Sequence, residues 1–216
     1  MATSLTLEND SSLAQGYLKV NGSTAATLTT SGITANLTGD VTGNVTGNLT
    51  GSLTAGGSLT LATAQTASGT SVDFTSIPSW AKRITVMFSG VSTSSTSNVQ
   101  IQIGTGGTPK TSGYLGTVSY IAGLNTTDSN LFTTGFGVTN PTSGTDVSHG
   151  QMFLALLDSA TNKWVYSSSI CRTDATVNFF GSGSVALSGI LNIVRITTVN
   201  GTDTFDAGTI NISYEG

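Results

Sequence analysis

The chain has 216 residues, enough for one large or two modest domains with a sizeable core. Only 8% of the residues are charged, while Gly contributes 27 residues and Ser and Thr together make up about a third of the chain. The seven scattered basic residues and the net charge of −4 exclude the electrostatic footprint of a nucleic-acid or anionic-membrane binder. A chain rich in Thr, Val and Ile but poor in charge favours strands and assembly over disorder.

The sequence also lacks targeting, membrane-spanning and cysteine-rich segments. No run approaches the roughly 18 apolar residues of a membrane helix, and the N-terminus has no basic start followed by an apolar stretch. We therefore expect the protein to be made in a cytoplasm. Cys171 is the only cysteine, which excludes an intrachain disulfide framework and a cysteine-cluster metal site. We expect no cofactor and no metal site.

Residues 1–32 are predicted to form a small β lead-in. Apolar and polar residues alternate around Leu5 and again around Tyr17, and the sequence at Asn21 is typical of a tight turn. Because little sequence comes before the next segment, we expect residues 1–32 to be the end that attaches to a larger particle.

Residues 33–64 contain a repeat of four residues in which an aliphatic residue is followed by Thr and usually by Gly. Four is twice the repeat of a strand, so an extended chain places the aliphatic residues and the glycines on one face. Gly and Thr recur at every fourth position, and both residues disfavour a helix. A flexible linker is the alternative for so simple a sequence, but the unbroken aliphatic position favours an ordered stem.

A comparison of free energies predicts that this stem is shared between chains. Ordering the repeats costs about 1–2 kcal/mol per residue in backbone entropy, whereas burial returns about 1.5–3 kcal/mol for each aliphatic side chain. A single chain therefore stays disordered, and we expect several identical chains to wind together so that the aliphatic residues meet on a common axis. Three chains, a homotrimer, is the natural number for a shaft with a head on top, although the free energies alone do not fix three. The predicted axis residues are Leu37, Val41, Val45, Leu49 and Leu53.

Residues 65–216 hold the predicted head. All aromatic residues except Tyr17 lie at Phe74 or beyond, and cores need aromatic side chains. Short alternating runs are separated by loops rich in Gly, Ser, Thr and Asn, which predicts an all-β fold with a β-sandwich or jelly-roll head. The predicted strands cover residues 84–88, 99–103, 114–121, 132–138, 151–157, 164–170, 177–180, 190–196 and 210–214.

Four segments of the head resemble a known family. They are residues 74–92 (FTSIPSWAKRITVMFSGVS), 102–104 (QIG), 113–115 (GYL) and 195–215 (RITTVNGTDTFDAGTINISYE). These segments are similar to the C-terminal domain appended to many bacteriophage tail-fibre proteins, and the repeats resemble the shaft that commonly precedes it. The resemblance implies a trimeric fibre on the virion tail, held by other tail or baseplate proteins and touching the bacterial surface with its head. The family offers no agreed catalytic residues.

Five residues near loops have the chemistry for binding a surface polysaccharide. Sugar recognition needs an aromatic face for the pyranose ring and planar hydrogen-bonding groups for its hydroxyls. For Trp164 and Tyr114, a position in the core or at a subunit interface is the alternative. The candidates are Tyr114, Tyr120, Trp164, Arg172 and Asp174.

Catalytic alternatives are weaker. His149, the only histidine, is expected on an exposed loop, and no nucleophile-elbow motif surrounds any serine. Asp203 and Asp206 provide the carboxylate pair that a depolymerase needs, but their sequence is typical of a turn between strands. We therefore predict a host-recognition protein that is not an enzyme, with a structural capsid fibre or, less favoured, a polysaccharide depolymerase as alternatives.

Overall fold

The computed structural model describes residues 59–123 and 126–216 in full, and the backbone of residues 5–10, 15–20, 23–29 and 32–34. The chain divides into two units, Met1–Gly51 and Ser52–Gly216. The five residues predicted to line a trimer axis, from Leu37 to Leu53, lie outside the described residues.

Four strands form an antiparallel sheet in the first unit. They are β1 Leu5–Asp10, β2 Gln15–Val20, β3 Ser23–Thr29 and β4 Gly32–Thr34. Each strand pairs with its neighbours in sequence, in the order β1-β2-β3-β4. Strands are therefore present where the sequence predicts a β lead-in, while the turn predicted at Asn21 lies outside the described residues.

The second unit contains two antiparallel sheets. The strands of the smaller sheet are β7 Ser71–Thr75, β9 Val99–Thr105, β10 Thr108–Pro109, β13 Phe136–Thr139 and β17 Ile193–Thr198. Their order is β10-β9-β17-β7, and β13 also pairs with β9. The strands of the larger sheet are β5 Thr60–Leu61, β6 Gln65–Thr66, β8 Arg83–Thr93, β11 Leu115–Ala122, β12 Thr126–Phe132, β14 Ser148–Asp158, β15 Lys163–Arg172, β16 Val177–Ala186 and β18 Phe205–Glu215. Their order is β12-β11-β16-β15-β14-β8-β18-β5, with β6 also paired to β18.

Both sheets contribute to one hydrophobic core, which gives a β-sandwich-like architecture. On β8, Ile84, Val86 and Phe88 are buried and alternate with more exposed residues, as the sequence predicts for a strand with one face on the core. On β17, Val194 and Ile196 are fully buried. The described residues include no helix, and therefore none that could span a membrane. The all-β prediction is confirmed for this part of the chain.

The middle strand of the smaller sheet is buried on both faces. Val99, Ile101 and Ile103 face the core, but Gln100 and Gln102 on the other face are buried as well. The segment at Thr134 covers them: its hydroxyl donates to Gln100 Oε1 (2.8 Å), and its carbonyl accepts from Gln102 Nε2 (3.0 Å). Buried amides need such partners.

The observed strands differ from the sequence prediction in several places. The run predicted at residues 132–138 is split, because β12 ends in the larger sheet and β13 begins in the smaller one. Thr60–Leu61, predicted within the stem, pairs with β18 as part of the larger sheet. Residues 71–75 and 126–131 form strands that the sequence pattern does not reveal.

Gly208 occupies a position that requires glycine. Gly208 lies at a bulge of β18 with a φ of +94°, and a Cβ there would be 2.4 Å from the carbonyl oxygen of Gly90. Both the positive φ and the contact exclude other residues without a backbone shift.

Candidate ligand-binding site

Two of the five predicted contact residues lie in the core. Trp164 is 2% exposed and Tyr114 is 1% exposed, so neither offers a ring face to a ligand. The Tyr114 hydroxyl accepts from the Ile103 N–H at 2.8 Å and donates towards the Lys110 carbonyl at 3.1 Å. Burial raises the Tyr114 pKa far above its ordinary value, despite the hydrogen bond to Ile103. Of the two alternatives for these residues, the structure favours the core.

The other three predicted residues, Tyr120, Arg172 and Asp174, meet at one end of the larger sheet. Arg172 ends β15 and pairs with Val177 of β16, which in turn pairs with Ala122 of β11. Two residues further along β16, and on the same face, Phe179 pairs with Tyr120. Cross-strand partners point to the same face, so these side chains form a floor across neighbouring strands.

A pocket of about 240 Å³ opens on this floor, and we call it the Tyr120 pocket. The Tyr120 ring packs against Phe179 with centroids 5.9 Å apart, and Tyr120 remains partly exposed. The residues that line the pocket combine an aromatic ring with amide, hydroxyl and guanidinium groups, which suits a sugar. They are Tyr120, Ala122, Thr126, Asn140, Thr142, Arg172, Val177 and Phe179. A wider depression of about 570 Å³ shares Arg172 and Val177 with it.

The Arg172 guanidinium joins two segments that border the pocket. Its Nε and Nη2 donate to the two oxygens of Asp174, at 3.3 and 2.5 Å. Its Nη1 donates to the Thr142 hydroxyl at 3.0 Å. Asp174 also accepts from the Val147 N–H at 3.1 Å. The turn after β15 is thereby attached to the loop between β13 and β14.

Asp146 is the buried partner in this network. It is 4% exposed, and its Oδ2 accepts from the backbone N–H groups of Thr142 (2.6 Å) and Ser143 (3.2 Å). Its other oxygen, Oδ1, has the Arg172 guanidinium as its polar partner, with Nη2 at 2.5 Å. A buried carboxylate needs both hydrogen-bond donors and a counter-charge, and Asp146 has both.

The electrostatics of Arg172 and Asp174 favour their ionised forms. The hydrogen bonds from Arg172, aided by the Val147 N–H, lower the Asp174 pKa from 3.8 to about 2. The hydrogen bond to Asp174 is also the main reason that the Arg172 pKa is raised. Because its folded-state pKa is depressed, Asp174 contributes stability above its ordinary pKa, and that contribution is lost as the pH falls through about 2.

The residues considered for catalysis have structural partners. His149 lies near the start of β14 rather than on a loop, and its Nδ1 accepts from the Gly90 N–H at 3.2 Å. Asp203 accepts from the Ser97 N–H (3.0 Å) and from the Asn200 side chain (2.7 Å). Asp206 accepts from the Ser92 hydroxyl. In the described part of the chain, no group of three or more His, Cys, Asp or Glu side chains is placed to hold a metal ion.

Asn140, Thr142 and Asp146 belong to the site but are not among the predicted residues. They lie on the loop between β13 and β14, about 30 residues before Arg172, and no periodicity marks them. The Pro141-Thr142-Ser143-Gly144 sequence indicates a turn but not what the turn faces.

Comparisons of the chain with protein-family models, curated proteins and solved structures found no match.

Proposed function

We propose that the chain is the subunit of a homotrimeric bacteriophage tail fibre that binds a polysaccharide on the bacterial surface. The Tyr120 pocket is the observation that supports polysaccharide binding, because it combines a partly exposed aromatic ring with the side chains of Asn140 and Thr142. The four segments that resemble tail-fibre heads support the assignment to a virion. The aliphatic repeat of residues 33–64 supports a shared stem.

We propose binding without hydrolysis. A glycosidase needs two carboxyl groups facing one bond, one of them free to donate a proton. The carboxylates of Asp203 and Asp206 instead accept hydrogen bonds from Ser97, Asn200 and Ser92. Asp203 lies in the connection between β17 and β18, and Asp206 lies at the start of β18.

The test is binding of the full chain to an array of bacterial surface polysaccharides. We expect the wild type to retain at least one of them and Tyr120→Ala to lose about ten-fold or more in affinity, since loss of a stacking ring costs about 1–3 kcal/mol. Phe180→Ala is the matched control, because Phe180 follows Phe179 on β16 but is 47% exposed on the opposite face of the sheet.

Two results would count against the proposed function. One is a wild-type chain that retains no polysaccharide on the array. The other is a folded Tyr120→Ala variant that binds as well as the Phe180→Ala control, which would place recognition elsewhere on the molecule.

A further inference from the structure

Negative charges outnumber positive charges around the Tyr120 pocket. Asp128 lies directly opposite Tyr120 in the β11–β12 pair, so both side chains point to the same face with Cβ atoms about 5 Å apart. Asp146 and Asp174 flank Arg172 on the other side of the pocket. Three carboxylates therefore accompany one guanidinium, which leaves this end of the sheet with a local net charge of about −2 at neutral pH.

The single guanidinium is already committed. Nε and Nη2 of Arg172 bind Asp174, Nη2 also faces Asp146, and Nη1 donates to Thr142. Four of its five N–H donors are thereby used, so a carboxylate on a ligand could form a two-bond pair with Arg172 only by displacing one of these partners. Leaving Asp146 without its counter-charge in a buried position is unfavourable.

Other basic side chains on the larger sheet lie at its opposite end. Lys163 begins β15, whereas Arg172 ends it, and a strand of ten residues spans about 30 Å. Arg83 begins β8 and is paired with Ala155, close to the Lys163 end. At physiological ionic strength charges are screened over about 8 Å, so these cations do not offset the carboxylates at the pocket.

We infer that the Tyr120 pocket selects uncharged sugars against hexuronic acids, and that Asp128 is a residue that determines this specificity. The inference rests on the glycan-binding function proposed above. A neutral pyranose stacks on Tyr120 and hydrogen-bonds to Asn140 and Thr142 without meeting a charge. A hexuronate places its carboxylate beside Asp128 or Asp174, and among the described residues at this end of the larger sheet the cation it meets is Arg172, which is already paired with two carboxylates.

The experiment compares sugars that differ only in the oxidation of C6. Methyl glucoside is paired with methyl glucuronoside, and methyl galactoside with methyl galacturonoside. Their binding to the full chain is measured by saturation-transfer difference NMR, which suits weak ligands and large assemblies. We expect a neutral sugar to bind about ten-fold more tightly than its uronoside at about 10 mM salt and only about two-fold more tightly at about 300 mM.

Two variants locate the effect. Asp128→Asn removes one charge beside the ring at an exposed site, and we expect it to raise uronoside affinity about two- to three-fold at low salt while leaving the neutral sugar unchanged. Asp158→Asn is the matched control. It removes the same charge from the hairpin end of β14, at the far end of the sheet. The amide oxygen can still accept from the Ala160 N–H, and the amide NH2 can donate to the Thr161 hydroxyl. Asp158→Asn should change neither affinity.

The outcomes separate the two proposals. If the wild type retains no polysaccharide on the array, the glycan-binding function fails and the inference falls with it. If polysaccharide is retained but no neutral sugar of either pair binds at a Tyr120-dependent site, the inference alone is overturned. If a uronoside binds as tightly as its neutral partner, or if Asp158→Asn and Asp128→Asn act alike, the selectivity is overturned while glycan binding stands.

Discussion

Aromatic residues near strand ends have two different roles in this protein. Trp164 and Tyr114 pack in the core, whereas Tyr120 keeps part of its surface at the open end of the larger sheet. The Trp164 indole Nε1 is buried and has no hydrogen-bond partner among the described residues. Burial of the ring therefore outweighs the cost of one unpaired N–H, which is about 1–3 kcal/mol.

Substitutions at Trp164 should separate these two contributions. We expect Trp164→Ala to lower the free energy of unfolding of the head by about 3–5 kcal/mol, because it leaves a large cavity. Trp164→Phe should cost much less, since it keeps most of the ring and removes the unpaired N–H. Chemical denaturation of the two variants measures this. A Trp164→Ala variant as stable as the wild type would contradict a core position.

At the scale of elements, alternation predicts the strands that have one face on the core. Ile84, Val86 and Phe88 mark β8 in the sequence as clearly as in the structure. Alternation does not predict β12, because the residues of this strand from Thr126 to Asn130 are all polar. Pairing with β11 holds β12 at the edge of the sheet. Alternation also cannot separate β12 from β13, because an apolar run does not show that the chain changes sheets.

The candidate site is predictable only in part. Residue chemistry indicates Tyr120, Arg172 and Asp174, because rings, guanidinium and carboxylate groups at strand ends suit recognition. Thr142 and Asp146 come from a loop whose contacts with Arg172 span about 30 residues, and sequence separation of this kind leaves no local pattern. The commitment of Arg172 to Asp146 is a property of the fold.

The link between Arg172 and the β13–β14 loop has a measurable energy. We expect Arg172→Met to lower the melting temperature strongly, because loss of one partner of a buried ion pair costs about 3–5 kcal/mol. Adding Asp146→Asn should recover part of that loss, since the amide oxygen still accepts from the backbone and no charge remains buried. Thermal melts of the single and double variants test this. A double variant less stable than Arg172→Met alone would refute the role of Asp146.

For the whole molecule, several copies of the head would compensate for the weak affinity of a single pocket. A shallow pocket around one ring plausibly reaches only about millimolar affinity, or roughly 4 kcal/mol. Three heads on the proposed common stem would raise the effective concentration and so the avidity by orders of magnitude. The proposed trimer is therefore part of how the proposed recognition works.

The predicted trimer depends on its aliphatic positions. Replacing both Val45 and Leu49 with Asp would place about six charges on a shared axis, each costing several kcal/mol to bury, so we expect monomers in light scattering. Replacing Thr46 and Thr50 with Asp is the matched control, because these residues occupy the opposite face of an extended chain and should leave the trimer intact. If both double variants behave alike, the axial arrangement is wrong.

The way the chain enters the larger sheet has a mechanical consequence. Residue 59 leads into β5 and β6, which are two residues long each and are held by pairing with β18. Tension arriving along the chain from residue 59 acts on these short ladders before it reaches the long β8–β18 ladder. Peeling residues 60–66 away would release about 24 Å of extended chain. We therefore expect residues 60–66 to extend under tension while the β-sandwich-like part of the chain stays folded.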